Sequence, residues 1–334
     1  MAQAAAAQFR LRVAATGTAV RGTGFDNVDR RAIAPLRSSL QMPTHPTRTR
    51  PNRPPRLALV LGSGDVRSAA AVGIAEVLAA EGVRPDLVVG CSSGALIGAT
   101  IALRMSPEHA LQTASELLSQ ELTRRHRWRA WLQLLAPRVA GFPDDFALRD
   151  GRLIERRIRE AFGQRRIEDA PTSLRIAATD ANSGEAAVLT HGSMVDALRA
   201  STAVPFLFPP VTIEGRRLVD GVISDPLPLA AAADARTVVA LGFQGSMPSR
   251  VDRASHRVAQ LSTAMVNNLM QARNAAARAA GQRVLHIELA LERQVGPWET
   301  SALRYLYEAG RRAAQTQLPQ IMTMLEGRSM RAAA

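Results

Sequence analysis

Short, wholly apolar runs that stop at glycine alternate along this chain with longer stretches whose apolar positions recur at helical spacing. Leu57 to Leu61, LALVL, leads into Gly62-Ser63-Gly64, which predicts a strand buried on both faces feeding a tight turn. From Ser68 the stretch SAAAVGIAEVLAAEG predicts a helix closed by Gly82. Pro85-Asp86-LVVG predicts a second buried strand, and ALIGATIALRM, after Gly90-Cys91-Ser92-Ser93-Gly94, a second helix. Strand, helix, strand and helix in succession imply parallel strands and an α/β sheet.

Residues 106–160 read as helical and charged. LRIAATDANSGEAAVLTHGS predicts two strands joined at Asn182-Ser183-Gly184, and VTIEGRRLVDG a second hairpin about Glu214-Gly215. TVVALGF predicts a further core strand, and residues 300–326 a long amphipathic helix packed on the sheet. Leu87 to Leu103 carries no charge, but glycine and serine at 90–94 break it, so it reads as core and not as a membrane span.

The first 55 residues lack any sustained apolar period and end in PTHPTRTRPNRPPR, which predicts a disordered Arg, Ala and Pro-rich extension. Its first 25 residues contain no acid, a feature of organellar transit peptides; an extension with no function is the plainer reading, and no run has the apolar stretch of a secretory signal. Residues 56–327 are expected to form one domain, with a short tail at 328–334. Charge changes this picture little. The net +13 comes entirely from arginine, with no lysine, and +7 of it lies in residues 1–55, where nine arginines face only Asp26 and Asp29. Without interleaved aromatic residues these arginines do not indicate a specific nucleic-acid partner. Cys91 is the single cysteine, which points to a reducing compartment and a cytoplasmic protein.

The chemistry concentrates in three places. Gly90-Cys91-Ser92-Ser93-Gly94 is a G-x-S-x-G between a buried strand and a helix, the setting in which a strained turn lifts a serine hydroxyl clear of a sheet. Upstream, Leu61-Gly62-Ser63-Gly64-Asp65-Val66-Arg67-Ser68 lacks the third glycine of a dinucleotide fingerprint and reads better as a loop whose amides face a developing oxyanion. A nucleophilic serine needs a base. None of the six histidines sits in a site-like setting, leaving open a Ser-His-Asp arrangement through His256 or His286, or a carboxylate, Asp220 of Asp220-Gly221, in place of histidine. Arg124-Arg125-His126-Arg127-Trp128-Arg129-Ala130-Trp131 mixes tryptophan with cations, as helices at a lipid surface do, and is the segment expected to make any peripheral membrane contact.

Taken in order, LGSGDVRS with AVGIAEVLAAEGVRPDLVVG, the elbow GCSSGAL, and ATDANSGE through ALRASTAVPFLFPPV to LVDGVISDPLPL resemble the patatin-like phospholipases over about residues 56–325. The resemblance implies a three-layer α/β/α sandwich of the patatin and cytosolic phospholipase A2 type with a mainly parallel central sheet. It also implies a Ser–Asp dyad with no metal or other cofactor, acting on a lipid ester. Carried over residue by residue, Ser92 is the nucleophile and Asp220 the base. Gly62, Ser63, Gly64, Asp65 and Ser93 would supply the oxyanion hole, and Gly90, Gly94 and Gly221 are motif glycines. Arg67 would orient a head group or form a structural ion pair. The family usually has glycine at Asp65 and Ser68, and glycine or alanine at Val222. A carboxylate at Asp65 facing the oxyanion would oppose catalysis and favour an impaired, lipid-binding or partner-binding protein; turned to solvent or paired with Arg67 it would leave catalysis intact.

Overall fold

The computed structural model describes residues 54–123, 130, 145–245, 247 and 252–326. All but Pro54 and Pro55 of the expected extension lie outside this set, as do the tail at 328–334 and, Ala130 excepted, the Arg124–Trp131 segment.

The described chain builds one eight-stranded sheet flanked by helices. Its strands are β1 (Leu57–Leu61), β2 (Leu87–Cys91), β3 (Ser173–Asp180), β4 (Ala186–Leu189), β5 (Val211–Ile213), β6 (Arg216–Asp220), β7 (Thr237–Leu241) and β8 (Val284–His286). The helices are α1 (Ala70–Ala80), α2 (Ser93–Ala102), α3 (Pro107–Leu117), α4 (Arg152–Phe162), α5 (Met194–Ser201), α6 (Ala254–Ala279) and α7 (Leu303–Leu325). Strands β3, β2, β1, β7 and β8 run parallel side by side, as apolar runs joined by helical crossovers require. Alternation along β1 divides the core. Leu57, Leu59 and Leu61 pack with residues of α1, α2 and α7, whereas Ala58 and Val60 pack with Met270 and Ala277 of α6.

Both expected hairpins form. β5 and β6 are joined by Glu214 at φ 49° and Gly215 at φ 76°, the paired positive values of a type I′ turn. β3 carries three partners on two edges. Ala177 pairs with Cys91 of β2 and Val188 of β4, and Ala178 pairs with Asp220 of β6 and Ala187 of β4. β4 therefore takes one edge, and β2 and β6 share the other, meeting end to end.

Two expectations need correction. The helix from Ser68 begins later, because Asp65–Ala69 forms a 3-10 turn before α1. The C-terminal helix packs chiefly on α1 and only secondarily on the sheet: a Cβ on Gly310 would lie 2.0 Å from the Ala70 carbonyl oxygen, and one on Gly73 2.2 Å from that of Tyr307. Glycine on both helices is what allows so close a crossing. Helix α6, 26 residues long, and the short β8 have no counterpart in the sequence reading. Residues 87–103 form β2 and the buried α2, and among the described residues no helix is long and apolar enough to cross a membrane.

Candidate active site

The meeting of β2 and β6 brings Ser92 and Asp220 together. β2 ends at Cys91 and α2 begins at Ser93, so Ser92 alone makes the turn, at φ 55° and ψ −126°. A non-glycine residue pays about 1–3 kcal/mol to stay in such a region and does so only where its surroundings hold it. Neither Gly90 nor Gly94 has a positive φ; they are glycines for lack of room. A Cβ at Gly90 would stand 2.5 Å from Ala95 Cα, and one at Gly94 2.5 Å from the carbonyl oxygens of Leu61 and Gly62. The bend is pinned by the Ser92 amide, which donates to Ser201 Oγ at 2.9 Å, while the Ser201 hydroxyl donates to the Ala177 carbonyl at 2.7 Å.

Ser92 Oγ donates to Asp220 Oδ2 at 2.7 Å. The other carboxylate oxygen accepts from the Val222 amide at 2.9 Å. The Asp220 backbone is held by its amide to the Ala203 carbonyl, 3.0 Å, and by its own carbonyl, which accepts from Thr179 Oγ1 at 2.8 Å. Thr179 has one hydroxyl proton, so the 2.8 Å contact between Thr179 and Ser224 must be donated by Ser224. Gly221 packs where a Cβ would lie 2.7 Å from the Ala177 oxygen. Asp220 is fully buried, and desolvation pushes its pKa up to about 7; the Val222 amide and the Ser92 hydroxyl oppose that rise, and the charge of Asp65 adds to it. Burial, with the charges of Asp220 and Asp225 behind it, pushes the Cys91 thiol well above its usual value and keeps it protonated.

The glycine loop lies over the start of α2. Of the five amides expected to face an oxyanion, three are already committed. Gly62 donates to the Leu241 carbonyl at 2.9 Å and Ser63 to that of Pro226 at 3.0 Å, while Gly64 donates to Ser93 Oγ at 3.0 Å. Among the described residues, the amides of Asp65 and Ser93 meet no acceptor. These two amides alone of the five remain free to donate, because the carbonyls of Leu241 and Pro226 take those of Gly62 and Ser63 and the Ser93 hydroxyl takes that of Gly64. Ser68 places its hydroxyl 2.8 Å from Ser93 Oγ and ties the loop to the helix.

Asp65 itself takes the strained conformation, at φ 53°, so the loop keeps the geometry a glycine would allow. Its half-exposed carboxylate lies 3.8 Å from Arg67 Nη2. Desolvation raises its pKa and Arg67 opposes the rise. Arg67 braces the loop: its Nε donates to the Gly64 carbonyl at 3.3 Å, its Nη1 to that of Gln244 at 3.4 Å, and its guanidinium stands 5.0 Å over the Phe243 ring. Sequence reasoning missed Ser201, Thr179 and Ser224 and took Ser68 only as a departure from the resembled family; for Ser201 alone a signal was visible, in the serine-threonine pair inside ALRASTAV.

Among the described residues no histidine bonds to Ser92 or Asp220. His256 Nδ1 lies 2.8 Å from Asp252 at the outer end of α6, and His191 Nε2 lies 3.7 Å from Glu214. Nor, among them, do three or more His, Cys, Asp or Glu side chains converge as metal ligands would.

A family model described as patatin-like phospholipase matches residues 59–233, which takes in the glycine loop, the elbow and Asp220-Gly221. The chain belongs to the patatin-like phospholipase family. It is 33% identical over 201 residues to an uncharacterized NTE family protein of Mycobacterium tuberculosis, covering 60% of this chain and 52% of that one. It is 30% identical over 190 residues to patatin-like phospholipase domain-containing protein 6 of Mus musculus, covering 55% of this chain and 13% of that one. The chain thus spans about half of the first relative, or far less of the second. Among solved structures it is similar to VipD from Legionella pneumophila, with TM-score 0.38 and 13% identity over 78% of this chain and 67% of that one. ExoU in its complex with SpcU from Pseudomonas aeruginosa gives TM-score 0.36 and 17% identity over 82% and 52%. Family membership supports lipid acyl hydrolysis at the family level.

Proposed function

We propose that this protein is a serine-dependent lipid acyl hydrolase that cleaves carboxylic esters of phospholipids or related lipids through Ser92 and Asp220. The observation that carries the reading is the 2.7 Å bond from Ser92 Oγ to Asp220 Oδ2, made by a serine held at φ 55°. Ser92 Oγ attacks the ester carbonyl as its proton passes to Asp220, a base whose pKa of about 7 suits transfer near neutrality. The tetrahedral oxyanion is met by the Asp65 and Ser93 amides, the latter at the positive end of α2. Asp220 returns the proton to the departing alkoxide, leaving an acyl ester on Ser92. Water then attacks that ester, giving its proton to Asp220, and the second collapse frees the fatty acid and restores the Ser92 hydroxyl. The Asp65 carboxylate is half-exposed and faces Arg67, an arrangement that favours an active enzyme over an impaired lipid-binding or partner-binding protein.

A fluorophosphonate probe is expected to label the intact protein at one site. Ser92→Ala should abolish labelling, and both Ser92→Ala and Asp220→Asn should lower ester hydrolysis by on the order of a thousandfold or more. An intact protein that neither labels nor hydrolyses esters would sink this reading.

A further inference from the structure

Nine large apolar side chains are exposed among the described residues, and all but Val188 lie on segments attached to the candidate site. Val204 and Phe206 follow Ala203, whose carbonyl accepts the Asp220 amide, and Ile223 ends the turn that begins at Gly221. Trp298 follows Pro297, whose carbonyl accepts the Val66 amide beside Asp65. Met247 lies three residues past Gln244, the acceptor of an Arg67 bond. The remaining three, Val258, Leu261 and Met265, are 64%, 59% and 71% exposed on α6.

At about 100° per residue these three fall within one narrow sector of α6. The opposite sector holds Met270 and Ala277, buried against the sheet. The helix is tied to the glycine-loop side of the fold through Asn267, which accepts from the Gly245 amide and donates to the Gly245 carbonyl, both at 2.9 Å. Charge follows the same bias. α6 contains no acidic residue, Arg257 is exposed beside the stripe and Arg253 stands exposed at its start. Asp252, the nearest acid along the chain, is engaged by His256.

We infer that this stripe is a lipid-docking face: Val258, Leu261 and Met265 enter the head-group region of a bilayer, and Arg253 and Arg257 meet its anionic phosphates. Isolated apolar side chains on a soluble surface need no explanation, but a single-sector stripe with cations at one end and the candidate site beside it is the pattern of an interfacial helix. The inference rests on the lipid acyl hydrolase reading for its purpose but not for its test. Docking α6 would bring the apolar residues around Asp220 toward the surface from which an acyl chain must come.

Cys91 is the only cysteine and is buried, so an environment-sensitive fluorophore on Met265→Cys reports this face alone. Its emission is expected to shift to the blue on adding phosphatidylcholine vesicles containing phosphatidylglycerol, and far less with phosphatidylcholine alone. Leu261→Asp combined with Met265→Asp is expected to weaken sedimentation with the anionic vesicles about tenfold or more. An unshifted label, or vesicle binding unchanged in the double variant, overturns the inference. So does a label already blue-shifted without vesicles, which means that a second copy or another part of the chain covers the stripe. Hydrolysis of a water-soluble short-chain ester, expected to be equal in wild type and double variant, is read separately and bears on Ser92 and Asp220 alone.

Discussion

As the proposed base, Asp220 would face opposing demands: it would have to ionise to accept a proton, yet it is fully buried. Its pKa is raised from 3.8 to about 7, so the folded state holds the proton more tightly than the unfolded chain. Stability contributed at this position therefore falls as pH rises through that window, and is intact below it. Asp220→Asn removes the charge and is expected to be more stable than wild type in urea at pH 8, by on the order of a few kcal/mol at about 1.4 kcal/mol per pKa unit. Near pH 4 the two should be equal. A variant less stable at both pH values would show that the carboxylate is not desolvated as described. Asp65 acts on the same group from a distance. Asp65→Gly removes a like charge and relieves a positive φ, so the acid limb of kcat/KM for a soluble ester should move to lower pH. Stability should rise by about 1 kcal/mol. A limb that stays in place would mean that the Asp65 charge does not reach the base. Ser92 was legible as a candidate because it follows a short apolar run and lies between Gly90 and Gly94, and Asp220 only through the resemblance carried by LVDGVISDPLPL. Which amides of the glycine loop stay free was not, because the carbonyls that occupy Gly62 and Ser63 belong to Leu241 and Pro226, far along the chain.

Elements differ in how openly they announce themselves. β1, β2 and β7 were readable because strands buried on two faces leave unbroken apolar runs ending at glycine or polar residues. α6 was not. Its apolar positions divide between an inward set at Met270 and Ala277 and an outward set at Val258, Leu261 and Met265, so no single stripe marks the sequence. The same division that concealed the helix supplies its unpartnered face. At the α1–α7 crossing, propensity and packing disagree. Gly310→Ala improves intrinsic helix propensity by about 1 kcal/mol. The added Cβ would meet the Ala70 oxygen at 2.0 Å, so the helices must separate. Overpacking is expected to prevail, with a net loss of about 1–3 kcal/mol in chemical denaturation; a gain would show that the crossing is looser than described.

At the scale of the molecule, the two halves of the candidate dyad are distant in sequence and come from opposite chain directions, one rising along β2 and one descending along β6. Alternation and glycine placement forecast both segments, but nothing local forecasts that they share an edge. That depends on β3 being longer than β2, so that residues 178–180 remain free to receive β6. Ala177 and Ala178, neither bearing a functional group, thereby act as a ruler. Neighbouring positions of one strand stand about 3.2–3.4 Å apart, and this spacing, together with the Ser201 and Thr179 bonds, sets how far the proposed base and nucleophile can be from each other. Movements that carry β3 as a whole leave the pair in register. Peeling the short β5–β6 hairpin from the end of β3 would withdraw Asp220 and leave the serine elbow standing, so on the proposed function turnover would depend on the stability of a few edge pairings more than on that of the core.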